Sequence, residues 1–138
     1  MVQLKKTGFT LLEIIIVIII VGVLASLALP RFFKLVEYSR SAEALVSLSA
    51  VRQSMERCYL QRNTYVGCTP FTSLDLEDPA NSPNSHFTYN VPVQTGTTFT
   101  VRATRNTRDR GMAGDQIDLA LTATSMTKSG TGNFAGIK

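Results

Sequence analysis

Tryptophan is absent from the 138 residues, histidine occurs once, cysteine twice, and aromatic residues make up only 8% of the chain. Each scarcity removes a class of function. The single histidine, His86, has no acid or nucleophile beside it in sequence and cannot complete a Ser-His-Asp triad, so it reads as a strand-edge residue. One histidine and two cysteines without a matching further ligand make a poor zinc set. The rings are too few and too scattered to support a chain for electron conduction. Serine and threonine are abundant but occur in no nucleophile-elbow pattern, and no glycine-rich phosphate loop appears. The sequence therefore predicts no enzyme and no cofactor.

What the chain has in excess is an apolar run. From Phe9 to Leu29 almost every residue is apolar, and Ile14 through Ile20 are all Ile or Val. As an α-helix this stretch spans roughly 31 Å, one hydrocarbon thickness. Gly22, Ala25, Ser26 and Ala28 supply small surfaces that allow close helix approach. One carboxylate, Glu13, interrupts the run, and a charge stranded in hydrocarbon costs several kcal/mol unless it finds a partner. An ordinary secretory signal could use Ser26-Leu27-Ala28 as a cleavage site, and a simple anchor would tolerate the composition, but neither has a use for Glu13.

The stretch Gly8-Phe9-Thr10-Leu11-Leu12-Glu13, preceded by Lys5 and Lys6, closely resembles the processing motif of the class III signal peptides found in type IV pilins and pseudopilins. The resemblance implies a leader over 1–8 and cleavage between Gly8 and Phe9 by a prepilin peptidase that also methylates the new amine of Phe9. It implies a transmembrane and filament-core helix over 9–30 and a head over 31–138. Phe9, Glu13 and Pro30 become the expected assembly residues: the amine at Phe9 and the carboxylate of Glu13 would pair in the fibre core and set register. Pro30 removes a backbone donor, so a kink or local unwinding is expected there. Without the leader lysines the net charge falls from +4 to +2, too mild to argue for a nucleic-acid partner.

Lys5 and Lys6 before the apolar run predict a cytoplasmic N-terminus and an exported remainder. Cys58 and Cys68 then lie in an oxidising compartment and are expected to pair, with free thiols or a metal site as the alternative. Closing such a loop is worth about 3 kcal/mol in the chain-entropy model.

Beyond Pro30, Leu45, Leu48, Val51, Met55, Cys58 and Tyr59 recur at helical spacing and predict a helix continuing to about residue 62. Pro70, Pro79 and Pro83 mark a loop over 63–85. Strands are expected at His86–Val91, Thr97–Ala103 and Gln116–Thr122, with Gln94-Thr95-Gly96 as a hairpin connection and a fourth strand or an edge segment around Asn133–Ile137. The fold class is α+β: a long, kinked N-terminal helix whose C-terminal half packs on a small antiparallel sheet of three or four strands, the pilin fold.

Two clusters in the head invite a ligand. Asp109, Asp115 and Asp118 could interest calcium, which some pseudopilins of the resembled family bind, but their spacing matches no compact oxygen-ligand loop. Arg102, Arg105, Arg108 and Arg110 form the densest basic stretch and, displayed on a loop, could contact DNA phosphates, as in minor pilins that serve as DNA receptors. No interleaved aromatics offer stacking across 104–112, so a solvated loop or inter-subunit salt bridges is the preferred reading and no nucleic-acid partner is expected. The resemblance thus implies a structural subunit of a type IV pilus, an inner-membrane precursor that polymerises with other pilin subunits on an assembly platform into an extracellular filament. The rivals are a type II secretion pseudopilin in the periplasm and a minor pilin acting as a DNA or surface receptor.

Overall fold

The computed structural model describes residues 8–69, 71–72, 76–108, 113–122 and 125–137. Its elements, in order, are α1 (Leu11–Arg62), β1 (Phe87–Gln94), β2 (Phe99–Arg105), β3 (Gln116–Leu121) and β4 (Met126–Gly130), with 3-10 turns at Pro79–Asn81 and Gly132–Phe134. The chain divides into two compact units between Leu35 and Val36.

The first unit is helical from Leu11 onward. Except for the partly covered Ala25, every residue from Leu11 to Leu29 is exposed, so this stretch owes its helicity to the backbone and to its cap rather than to a core. α1 passes through Pro30 without a break, and the local unwinding expected there does not occur. Pro30 removes one donor and crowds the carbonyl of Ser26, a cost confined to one turn that the flanking helix tolerates.

In the second unit the helix buries Ser41, Ala44, Leu48, Val51, Ser54, Met55 and Cys58, a stripe at three- and four-residue spacing. Its centre lies at Ala44, while Leu45 and Tyr59 flank it half-buried. Asn63, in the left-handed region with φ 55°, ends the helix, and its N–H returns to the Tyr59 carbonyl at 2.7 Å. Beyond it the Cys58–Cys68 disulfide, with Cα atoms 6.1 Å apart, turns the chain back. Tyr65 then stacks on Tyr59 and tilts against Phe99, both at 4.6 Å between centroids.

The four strands form one antiparallel meander in the order β1-β2-β3-β4. Period-two burial decides its inner face: Phe87 and Tyr89 from β1, Phe99, Val101, Ala103 and Arg105 from β2, Ile117 and Leu119 from β3. The first two strands are displaced toward the C-terminus from the expected spans. Their connection is Thr95–Thr98, where the Thr95 N–H donates to the Thr98 carbonyl at 2.9 Å. Register slips between Asn90 and Val93, around Pro92, which cannot donate and is confined to an edge strand.

The fourth strand is not at Asn133–Ile137. It is Met126–Gly130, paired to β3 from Ile117↔Gly130 to Leu121↔Met126. Thr127, Lys128 and Ser129 are exposed, so the strand shows no apolar alternation to betray it. Residues 132–134 instead form a 3-10 turn, entered through Gly132 at φ 60°, and deliver Phe134 and Ile137 into the core.

Candidate functional site

Two regions carry the expected functional residues, one in each unit. At the N-terminus Gly8, Phe9 and Thr10 precede the helix and are exposed, Phe9 at 85%. Thr10 is the helix cap: its hydroxyl accepts from the Glu13 N–H at 3.2 Å, and the Glu13 carboxylate accepts from both the N–H and the hydroxyl of Thr10 at 2.7 Å. This reciprocal arrangement is a capping box. Thr10 was not among the expected assembly residues. The Thr-x-x-Glu spacing of residues 10–13 was the signal that could have found it. In an isolated subunit the carboxylate therefore already has partners, and it is held at the positive end of the helix, four residues from Phe9.

In the head, the four arginines of the basic stretch separate. Arg105 is not on a loop surface. It is 1% exposed, on the inner face of β2, because the period-two pattern begun at Phe99 carries it inward. Its Nε and Nη2 donate to the Glu37 carboxylate at 2.9 and 3.2 Å, and its Nη1 to the carbonyls of His86 and Asn106 at 3.0 and 3.3 Å. The guanidinium lies 5.8 Å from the Phe87 ring centroid. Glu37 accepts a further bond from Arg40 at 2.9 Å. The Arg105 hydrogen bonds hold the Glu37 carboxyl below the usual range, against burial, which pushes it up.

Arg102 faces the other side of the sheet and pairs with Asp118 on β3, both bonds 2.7 Å, a two-pronged geometry that raises the arginine's pKa. Arg108 is exposed, its Nη1 donating to the Pro83 carbonyl. Arg110 lies outside the described residues, as do Lys5 and Lys6. Of the four arginines considered as phosphate contacts, Arg105 is thus spent inside the fold and Arg102 is neutralised by its neighbour.

The aspartates do not converge either. Asp118 is engaged by Arg102, while Asp115 accepts from the backbone and side-chain N–H groups of Asn133 at 2.9 and 2.8 Å; Asp109 lies outside the described residues. Among the described residues no group of three acidic, histidine or cysteine side chains could hold a metal ion. His86 has an acid after all, brought from 43 residues away: its Nδ1 lies 2.9 Å from Glu43, which also accepts the His86 backbone N–H.

The family described as "Type IV minor pilin ComP, DNA uptake sequence receptor" matches residues 30–116, well over half the chain. This chain belongs to the type IV pilin family. The pilin's N-terminal part, residues 4–29, matches the prokaryotic N-terminal methylation motif. It is similar to the type IV major pilin protein PilA of Myxococcus xanthus, 34% identical over 61 residues, which are 44% of this chain and 28% of that one. It is also similar to the type II secretion system core protein G of Aeromonas hydrophila, 32% identical over 81 residues, 59% of this chain and 54% of that one. The pilin spans about half the length of these relatives, or less. Among solved structures, the non-core minor pilin PilV of Neisseria meningitidis aligns with a TM-score of 0.48 at 22% identity, covering 72% of this chain and 94% of that chain.

Proposed function

We propose that this pilin is a structural subunit of a type IV pilus, cleaved between Gly8 and Phe9, methylated at Phe9 and polymerised through its N-terminal helix. The observation that carries this reading is the uncovered stretch Leu11–Leu29. It is long and apolar enough to cross a membrane, and none of its most apolar window is buried within the fold. Such a surface is stable in lipid before assembly and against other helices afterwards. Because lipid is as apolar as leucine, packing and charge pairing must favour the filament. Prepilin peptidase and an assembly platform are the partners this implies. No catalytic role is proposed, since the relatives are pilins and pseudopilins.

The test is intact mass and N-terminal peptide mapping of sheared filaments and of the envelope. An abundant extracellular species beginning at N-methylated Phe9 is the expected result. The same species confined to the envelope would instead support the pseudopilin reading. An uncleaved chain in both fractions would overturn both.

A second reading, DNA reception, is favoured by the description of the matching family. Arg102 and Arg105 are taken up by ion pairs, which leaves this reading to rest on the exposed Arg108 and on Arg110, which lies outside the described residues. Replacing Arg108 and Arg110 with Ser should lower DNA binding by filaments; unchanged binding and uptake would end this reading.

A further inference from the structure

The apolar stretch ends in a charged and aromatic collar. Immediately beyond Pro30 stand Arg31, Phe32, Phe33, Lys34 and Leu35, all exposed. The rings of Phe32 and Phe33 meet edge to face at 6.2 Å. Arg31 and Lys34 are one helical turn apart and share a face. The same face continues back through Leu24, Leu27 and Ala28, which with Arg31 line an open groove of about 550 Å³. From Leu24 to Lys34 the helix rises about 15 Å, half the hydrocarbon thickness of a bilayer and so the depth of one leaflet.

We propose that Arg31 and Lys34, with the groove beneath them, bind an anionic phospholipid of the leaflet at the C-terminal end of the span. The phosphate sits between the two cations and an acyl chain lies along Leu24, Leu27 and Ala28. This inference rests on the membrane-inserted precursor proposed above.

Three observations converge on this occupant. Charge comes first. Once residues 1–8 are removed, Arg31 and Lys34 are the only side-chain cations up to Leu35, and the one acid of that stretch, Glu13, lies about five turns away. Two cations concentrated at one end of a span need an anionic counterpart at that depth. Chemistry is second. A guanidinium offers a planar fork that matches phosphate oxygens, and an ammonium adds a flexible point charge; both carry aliphatic stems that lie along lipid while the head reaches the interface. Third is position. Phe32 and Phe33, 59% and 63% exposed, sit where the acyl region meets the headgroups, fixing the cations at phosphate level.

The test uses the processed chain beginning at Phe9, in nanodiscs containing phosphatidylcholine and phosphatidylglycerol, with co-retained lipid counted by native mass spectrometry after transfer to a neutral detergent. Resistance of the inserted chain to carbonate extraction is measured alongside. Wild type should retain phosphatidylglycerol over phosphatidylcholine by roughly thirtyfold, given about 1 kcal/mol for each of the two cations near an anionic surface. The double variant Arg31→Gln/Lys34→Gln should lose that preference while remaining resistant to carbonate, and Lys34→Arg should keep it. Equal retention of the two lipids by carbonate-resistant wild type, or an unchanged preference in the double variant, would overturn the lipid site and leave the membrane reading standing. Extraction of wild type by carbonate would overturn both.

Discussion

Arg105 and Glu37, 68 positions apart in sequence, meet as a two-pronged ion pair at 2.9 and 3.2 Å, with the arginine side chain wholly out of solvent. The pair fastens the first turn of the head's helix to the inner face of β2. Removing the carboxylate strands a buried cation, whereas removing both charges does not.

Glu37→Ala should therefore destabilise the pilin by about 3 kcal/mol. Glu37→Leu combined with Arg105→Met should be milder than either single change. Thermal unfolding of the detergent-solubilised chain, followed by circular dichroism, checks this. Equal or additive losses in the double variant would show that the pair acts independently of its burial.

The same pair sets an acid limit. Glu37 is held below its ordinary pKa in the folded state, so the folded state binds fewer protons there than the unfolded chain. Its contribution is fully present above the ordinary carboxylate range and is lost as pH falls through that range toward the depressed value. The melting temperature should drop from pH 6 toward pH 3, and the drop should be shallower in Glu37→Gln. Parallel profiles would place the acid lability elsewhere.

Gly132 has φ 60°, and a Cβ there would lie 1.8 Å from Asp115 Oδ1. Gly132→Ala must displace the carboxylate that holds Asn133, and should cost about 1–3 kcal/mol. Asp115→Ala in the same background should recover part of that loss, because it removes the clash. Urea titration of the four variants of this cycle measures the coupling.

Replacing Cys58 and Cys68 with Ser should lower stability by about 2–4 kcal/mol and open the turn at the helix end. Faster migration of the oxidised than the reduced wild-type chain on a denaturing gel, with no such difference in the variant, checks the bond itself.

Glu13 separates two roles by a single atom pair. Glu13→Gln can still accept from Thr10 and keep the capping box, but carries no charge; Thr10→Ala loses the cap and keeps the charge. If charge sets filament register, Glu13→Gln should insert normally and assemble poorly, while Thr10→Ala should assemble at near wild-type levels. Filament yield and membrane-fraction abundance are the readouts. The reverse ranking would make the cap the assembly determinant.

How much of this was legible in the sequence follows from which signals are local. The apolar run, the helical stripe through Leu48, Val51 and Met55, and the alternating strands β2 and β3 announce themselves by periodicity. β4 does not, because it presents Thr127, Lys128 and Ser129 to solvent and joins the sheet through its backbone, with Met126 alone of its side chains packing against the core. Arg105 was misplaced for a related reason. Its charge suggested a surface, whereas its parity with Phe99, Val101 and Ala103 gave its true direction. The partner that makes that burial tolerable, Glu37, sits on another element, as does Glu43 beside His86. Pairings of this kind depend on tertiary approach and leave no mark at short range. Thr10 was visible at a spacing of three but overshadowed by the charge of Glu13.

The two margins of the sheet have a consequence for crowding. Sheet edges expose unpaired backbone groups that readily template a neighbour's strand. A filament brings many copies of one head together at very high local concentration, where such zippering would be most damaging. One margin here is broken by Pro92 and its slip in register, and the other is short and carries Lys128 outward. Both edges are therefore poor templates, and in the filament proposed above contacts between heads would be left to side chains, which can be re-formed each time a fibre is built.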